Sequence, residues 1–352
     1  MKISFMLKRE DFYSINQKTL EKYYATCKTK KRLYIYPELN AIVTARPSKL
    51  VRQYLYTEFR VNGSFLKRFL VRLYATVMLN SGGLLAAKSV VVHTDATKDT
   101  LIYPCNKKYR IFDFAKNQVS VLGKDGFPTD DLQHEIEFRT GNKAGFIPGL
   151  ICSSEQGYSE VIIDGCPVAR AGERMTSLCD KAFAIWSDYI SSSIQMIPAV
   201  EYAKQLADQF RELNNRLQKL NKQVDNNQLD LLWTELQNIL QAFQENVPVG
   251  LSHGDLQAGN IWVENKTDKL YIIDWESWKN RSTWYDRALL YEGLRRTDGL
   301  EKYSACRDFI HTTVLMEDIL FRMTELTTLP LNYGCAEFAA YINTLCGGTV
   351  HV

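Results

Sequence analysis

The chain has 352 residues, more than one compact core usually holds, so two lobes or domains are expected. Hydrophobic residues make up 45% and charged residues 24%, a globular balance that excludes a disordered chain. A net charge of +3 is too small to argue for nucleic acid as a partner.

The eight cysteines form no CxxC pair and stand at no zinc-finger spacing to a histidine. Scattered in this way they are expected to be reduced thiols, which makes the cytoplasm the expected location. The opening MKISFMLKRED has an apolar run too short for a signal peptide, and no run of about 18 apolar residues predicts a transmembrane helix.

Residues 1–98 form an N-terminal segment, basic and partly helical, with no motif that states a chemistry. Within it, Lys49 to Arg72 holds six basic residues (Lys49, Arg52, Arg60, Lys67, Arg68, Arg72) and one acidic residue, Glu58. Leu55, Phe59, Phe65, Leu66, Phe69, Leu70 and Leu73 are interleaved. The expectation is a solvated basic face on a helix whose apolar side packs against the first lobe. The alternative is peripheral contact of 49–72 with an anionic membrane, or a grip on a phosphorylated substrate.

From Leu101 the pattern changes. "LIYP", "YRIFDF" and "QVSVLG" are β-type runs separated by turn-like "CNKK" and "AKN", which predicts an antiparallel meander. "PTDDLQHEIEFR" follows as a helix, capped at Thr129 or Asp130. "GLICSS" and "YSEVIIDG" read as a hairpin turning at Glu155–Gly157. Five strands and one helix give a small α+β lobe over 99–165.

The remainder, 166–352, is predicted to be a larger, mainly helical lobe. Leu206, Phe210, Leu213, Leu217, Leu220 and Val224 step by 4, 3, 4, 3 and 4. "DNN" at 225–227 interrupts, and Leu229, Leu232, Leu236, Ile239 and Phe243 resume. This predicts an antiparallel helical hairpin inside a helical insertion at about 176–245. Near the C-terminus "MEDILFRMTEL" reads as an amphipathic helix.

The stretch "LSHGDLQAGNIWVENKTDKLYIIDWE", Leu251 to Glu276, is chemically unlike the rest. Asp255 and Asn260 lie in a loop with Gly254 and Gly259, which permit sharp backbone paths. "IWVE" and "LYIID" are apolar strands joined by the polar turn "NKTDK". The hairpin returns Asp274 toward Asn260. Asp and Asn oxygens suit a hard cation such as Mg²⁺, which takes one or two protein carboxylates and completes its shell with water and phosphate. Asn260 and Asp274 fit as metal ligands, leaving Asp255 to accept or orient the proton of an attacking hydroxyl. A plain hairpin with turn-capping acids explains Asp268 but not the whole set.

"HGDLQAGNIWV…IIDWE" resembles the motif of the aminoglycoside phosphotransferase and choline kinase branch of the protein-kinase-like superfamily. There the loop reads H-G-D-x-x-x-x-N and the metal-binding strand ends in I-D-[WFY]-E. The resemblance implies a bilobal α+β kinase-like fold, preceded here by an N-terminal extension. It also implies ATP as co-substrate with Mg²⁺, and transfer of the γ-phosphoryl group to a hydroxyl of a small molecule, sugar or glycan precursor. Asp255 matches the catalytic aspartate and Asn260 and Asp274 the metal ligands. Asp286, in "TWYDRALL", matches a structural aspartate, and His253 is expected to hold the loop by hydrogen bonds rather than act as a base.

In the first lobe the resemblance implies a lysine on the third strand paired with a glutamate on the next helix. Lys124, ending "VSVLGK", and Glu135 fit, with Lys108 and Lys116 as alternative lysines. The backbone of Ile162, Ile163 and Asp164, in "EVIIDG", is implied to receive the adenine. "PCNKKYR" stands where a glycine-rich loop would be and holds no glycine, a departure that puts the phosphate-covering loop in doubt. Against a protein kinase stand this loop and D-W-E in place of D-F-G. Against a nucleotide-binding pseudokinase stands the retention of Asp255, Asn260 and Asp274. An adaptor on a membrane surface would rest on 49–72 alone.

Overall fold

The structure, a computed structural model, describes residues 9–58, 65–329 and 333–347. Arg60 and Phe59 lie outside these residues, as do the side chains of Phe65, Lys67 and Arg68. The chain divides into two compact units, 1–143 with 148–164, and 144–147 with 165–352.

The first unit is built on one antiparallel sheet. Its elements are α1 (Arg9–Tyr23), β1 (Lys30–Tyr36), β2 (Ala41–Val43), α2 (Lys49–Glu58), α3 (Phe65–Asn80), β3 (Lys88–His93) and β4 (Thr100–Pro104). β5 (Lys108–Asp113), β6 (Gln118–Gly123), α4 (Asp130–Gly141), β7 (Leu150–Ser154) and β8 (Gly157–Val161) follow. Strand order is β3-β1-β2-β4-β5-β6-β8-β7. The meander and hairpin predicted from sequence occupy the second half of that order, with α4 crossing between β6 and β7. The N-terminal segment, which the sequence left without a role, supplies the first half.

Strand alternation sends side chains to two separate cores. Leu33, Ile35, Ile42, Ile102, Tyr109, Ile111 and Leu122 face α1, against Tyr13, Leu20 and Tyr24. Tyr36, Val43, Leu101, Tyr103, Phe112 and Val119 face the other way, against Val51 and Leu55 of α2 and Ala75 and Leu79 of α3. Farther along that second face, Val121 and Tyr158 pack on Leu132 and Ile136 of α4. The packing of 49–72 differs from expectation. The inward side of α2 is buried, but Leu66, Phe69, Leu70 and Leu73 of α3 are exposed. Ala75 and Leu79 already fill the contact with the sheet, so the first half of α3 has no surface to pack on.

The second unit begins with β9 (Gly165–Pro167) and α5 (Met175–Ile190). β10 (Gln195–Pro198), α6 (Ala199–Lys219), α7 (Asn226–Ala242), β11 (Asn246–Ser252), β12 (Ile261–Glu264) and β13 (Leu270–Ile272) come next. β14 (Lys279–Ser282), α8 (Thr283–Arg287), α9 (Thr297–Ala305), α10 (Phe309–Thr328) and α11 (Cys335–Leu345) complete it. The strands form two small sheets, β10-β11-β14 and β13-β12-β9. The helical hairpin forms as α6 and α7. The Asp225 carboxylate accepts from Gln228 N at 3.2 Å to cap α7, and Phe210 stacks on Trp233 with ring centroids 4.2 Å apart. The block 176–245 is not wholly helical, because β10 interrupts it to pair with β11.

The segment "MEDILFRMTEL" differs more sharply. It lies within α10, where every residue from Thr312 to Leu320 is buried, Glu317 and Asp318 included. The two acids survive burial because each has donors. Ser282 N (2.5 Å), Ser282 Oγ (2.7 Å) and the Tyr202 hydroxyl donate to Glu317. Tyr285 (3.0 Å) and Arg322 (2.8 Å) donate to Asp318. α10 is therefore the central helix of its unit, not a half-exposed one. Among the described residues no helix is long and apolar enough to cross a membrane.

Candidate active site

Three local devices fix the loop between β11 and β12. The first is Gly254, at φ +80°, where an added Cβ would stand 2.2 Å from the Ser277 carbonyl oxygen. No other residue fits that approach. The second is Asp286 on α8, which accepts from His253 N (2.8 Å), Gly254 N (3.0 Å), Ser252 Oγ (3.1 Å) and Trp186 Nε1 (3.2 Å). One buried carboxylate thus satisfies two backbone donors of the turn, as the expected structural role requires. The third is His253, fully buried against Trp275 with ring centroids 4.5 Å apart. Its Nε2 contacts Ile273 O at 2.9 Å, and its Nδ1 accepts from Asp255 N at 3.1 Å. That pattern assigns the proton to Nε2. Both ring nitrogens are engaged in holding the loop to the strand that precedes Asp274.

The loop presents Asp255 with its carboxylate already oriented. Asn260 Nδ2 donates to Asp255 Oδ2 (2.9 Å) and to its backbone oxygen (2.8 Å). Gln257 Nε2 donates to Oδ1 at 2.5 Å, and Arg295 Nη1 donates to the same oxygen. Arg295 also reaches Gly254 O (2.9 Å) and the Tyr285 hydroxyl (3.2 Å), and its guanidinium lies 3.8 Å from the centre of the Phe321 ring. Burial works against its charge, but Tyr285, Asp255 and Asp318 outweigh that and hold it firmly protonated. Asn260 spends its amide nitrogen on Asp255, which leaves Oδ1 as the atom able to meet a cation.

Asp274 follows β13 in the left-handed conformation, φ 68° and ψ 56°. This unusual backbone turns its carboxylate out of the strand path. Ile273 N donates to Asn260 O at 2.9 Å, so the loop and the strand end are bonded at Asn260 itself and one residue before Asp274. The carboxylate oxygens of Asp274 and Glu276 lie within 4.8 Å of one another, both half-buried. An all-oxygen set from Asn260, Asp274 and Glu276 has the chemistry of a hard divalent cation.

In the first unit, Glu135 of α4 is buried and paired, but with a different lysine from the one expected. Lys108 Nζ stands 3.6 Å from its carboxylate. Arg139 Nη1 (3.3 Å) and the Tyr158 hydroxyl (3.0 Å) complete its partners. Lys124 lies with its Nζ 5.4 Å from the centre of the Tyr109 ring, and burial pushes its ammonium down to about 8. The reason is the pleat. Lys108 opposes Gly123 across β5 and β6, so Lys124, one residue on, emerges on the other face of the sheet. Glu135 stands on the α4 face, and Lys124 shares the α1 face with Tyr109. Lys116 pairs with Asp113 at the β5–β6 turn (3.1 Å). Of the backbone expected to meet adenine, Ile162 N donates to Asn117 O at 3.2 Å. Its N–H is thus committed to the protein, and Ile163 and Asp164 follow as non-strand residues.

Three residues of the site carry roles that the sequence reading does not assign. Arg295 lies 40 positions from Asp255 in "EGLRRTDG", where two adjacent arginines look alike. Gln257 looks like loop filler. Glu276 is part of the motif but was given no role.

Residues 183–288 match the family model of choline/ethanolamine kinase. That span contains Asp255, Asn260, Asp274 and Asp286. No curated protein sequence matches the chain. Among solved structures, the Plasmodium vivax ethanolamine kinase is 16% identical with a TM-score of 0.47, over 85% of this chain and 93% of that one. The Cryptosporidium parvum choline kinase is 13% identical with a TM-score of 0.42, over 72% and 85%. An aminoglycoside-3'-phosphotransferase of type VIII is 14% identical with a TM-score of 0.33, over 68% and 87%. Over residues 183–288, less than half of its length, the chain is similar in sequence to the choline/ethanolamine kinases.

Proposed function

We propose that the protein is a phosphotransferase that moves the γ-phosphoryl group of ATP to a hydroxyl of a small molecule, sugar or glycan precursor. The observation that supports this most is the loop itself. A carboxylate is oriented by Asn260, Gln257 and Arg295, and its neighbour Asn260 is bonded through the backbone to the residue before Asp274.

In this reading Asp255 orients the acceptor hydroxyl and takes its proton as the new O–P bond forms and the β–γ bridging bond of ATP breaks, releasing ADP. Asn260 Oδ1, Asp274 and Glu276 would hold Mg²⁺, which supplies charge neutralisation on the transferring phosphate when bound. Lys108, fixed by Glu135, would meet the nucleotide phosphates, and the backbone of Ile163 and Asp164 would read the adenine. Arg295 keeps Asp255 in place without touching substrate.

The direct test is ATP consumption across a panel of hydroxylated metabolites and glycan fragments, with the phosphate position read by NMR. A phosphorylated product that disappears with Asp255→Asn supports the reading. Turnover that survives Asp255→Asn unchanged overturns it. Asp274→Ala should weaken Mg²⁺-dependent nucleotide binding as well as turnover, and calorimetry with Mg·ATP checks this. Unchanged affinity would remove Asp274 from the ligand set.

A further inference from the structure

We infer that the exposed face of α3 is a docking surface for an anionic lipid bilayer. Leu66, Phe69, Leu70, Leu73 and Val77 stand at helical spacing i, i+3, i+4, i+7 and i+11, which places them along one stripe. All five are exposed, Leu66 by 64% and Phe69 by 53%. Past the end of the helix, in the turn over 81–85, Leu84 is 89% exposed and Leu85 lies beside it. A row of large aliphatic and aromatic side chains this long is uncommon on a soluble surface and marks an interaction site.

Charge chooses the occupant. From Phe59 to Ala87 the sequence has four Lys or Arg (Arg60, Lys67, Arg68, Arg72) and no Asp or Glu. Arg72 is exposed, with its guanidinium 5.3 Å from the centre of the Tyr56 ring, and Arg52 on the adjoining α2 is half-buried against Asn80. A second copy of the chain would bring these same cations against themselves across a two-fold axis. An anionic membrane accepts both halves of the surface: apolar side chains enter the headgroup boundary and the cations meet lipid phosphate or carboxylate. The stripe is borne by the outer side of a single helix and not by a groove, which suits a planar, deformable partner. The inference is independent of the proposed reaction.

The test is sedimentation of the full chain with phosphatidylcholine vesicles, with and without phosphatidylserine, at low and high salt. The expected result is partition onto the phosphatidylserine vesicles alone, fading as salt rises. Lys67→Gln/Arg68→Gln/Arg72→Gln should weaken it by roughly fivefold per removed charge. Phe69→Ser/Leu73→Ser should weaken it by at least about tenfold. Phe69, Arg72 and Leu73 are exposed, and an unchanged thermal melt checks that each variant folds. Equal partition onto neutral vesicles, or none onto either, overturns the inference. So does concentration-dependent dimerisation that Phe69→Ser/Leu73→Ser abolishes, which would assign the face to a second copy.

Discussion

The two units each hold a buried or half-buried carboxylate in place, and they do it by different means. Around Asp255 most partners are near in sequence: Gln257 and Asn260 lie within five residues, and Gly254 sets the turn. Around Glu135 one partner, Arg139, is local, while Lys108 and Tyr158 arrive from separate strands. A loop motif carries its geometry with it. A cluster assembled on a sheet depends on the register of strands that the motif does not contain. The first kind can be read from a string of residues, and the second needs the pleat.

The largest effect should come from the loop. Asp255→Asn keeps the hydrogen-bonding shape but removes the proton acceptor, and kcat should fall by about 10²–10⁴-fold with ATP affinity nearly intact. Steady-state kinetics beside calorimetry separates the two, and a variant with near-normal kcat would end the comparison at its strongest point.

The sheet cluster gives the next test. Lys108→Ala and Glu135→Ala should each lower kcat/KM, and together by clearly less than the sum of the two. A coupling of about 0.5–3 kcal/mol is expected for partners in contact. Lys124→Ala should show no such coupling with Glu135→Ala. Additive losses for Lys108, or coupling for Lys124, would return the role to the lysine chosen from sequence.

Asp286→Ala asks whether the loop's frame is as costly to break as its hydrogen bonds imply. The change strands the buried His253 N–H and the Trp186 indole, and leaves Gly254 N with Ser252 Oγ alone at 3.1 Å. Denaturant unfolding should show a loss of roughly 2–4 kcal/mol, with catalysis falling in parallel. A loss of activity at unchanged stability would instead give Asp286 a part in the chemistry.

The smallest effect sharpens the comparison from inside the second unit. Lys279, opposite Ser252 on β14, has its ammonium pushed down to about 7, first by burial and then by Arg281. Its folded pKa is depressed below the ordinary 10.5, so between those values the unfolded chain holds the extra proton and folding strengthens as pH rises. Below about 7 the protonated side chain is a standing cost. Melting temperature should climb from pH 7 to pH 9, and Lys279→Met should flatten that climb.

Legibility followed the same division. The meander, the α4 helix, the hairpin of 150–161, the α6–α7 turn at Asp225 and the β12–β13 hairpin were all predicted from period and turn chemistry. They form because their signals are local. The roles of Asp286 and His253 came from the resemblance, and their hydrogen bonds agree with it. The Lys124 assignment missed because it counted position along the chain and not parity across it. The β5–β6 turn sets Lys108 opposite Gly123, and counting from that turn puts Lys124 on the far face. Arg295 was unreadable, since nothing in two neighbouring arginines says which one turns inward. α10 was misjudged because its buried acids resemble a polar face, and their donors Tyr202, Ser282 and Tyr285 lie far away in sequence.

The seam between β2 and β4 has a practical meaning for anyone who cuts this gene. Only Ile42 and Ile102 pair across it, so little backbone ladder joins the N-terminal strands to the meander. Cohesion there comes from side chains, because both cores run across the seam: Leu33 and Ile35 with Tyr109 on one face, Tyr36 and Val43 with Phe112 on the other. A fragment starting at residue 99 would keep its hydrogen bonds almost whole but lose α1 from one face and α2 and α3 from the other, keeping α4 over Val121 and Tyr158 alone. It would present a two-sided apolar sheet with an open edge at β4, the recipe for an insoluble product. The first unit is best handled from the start of α1 onward, as one piece.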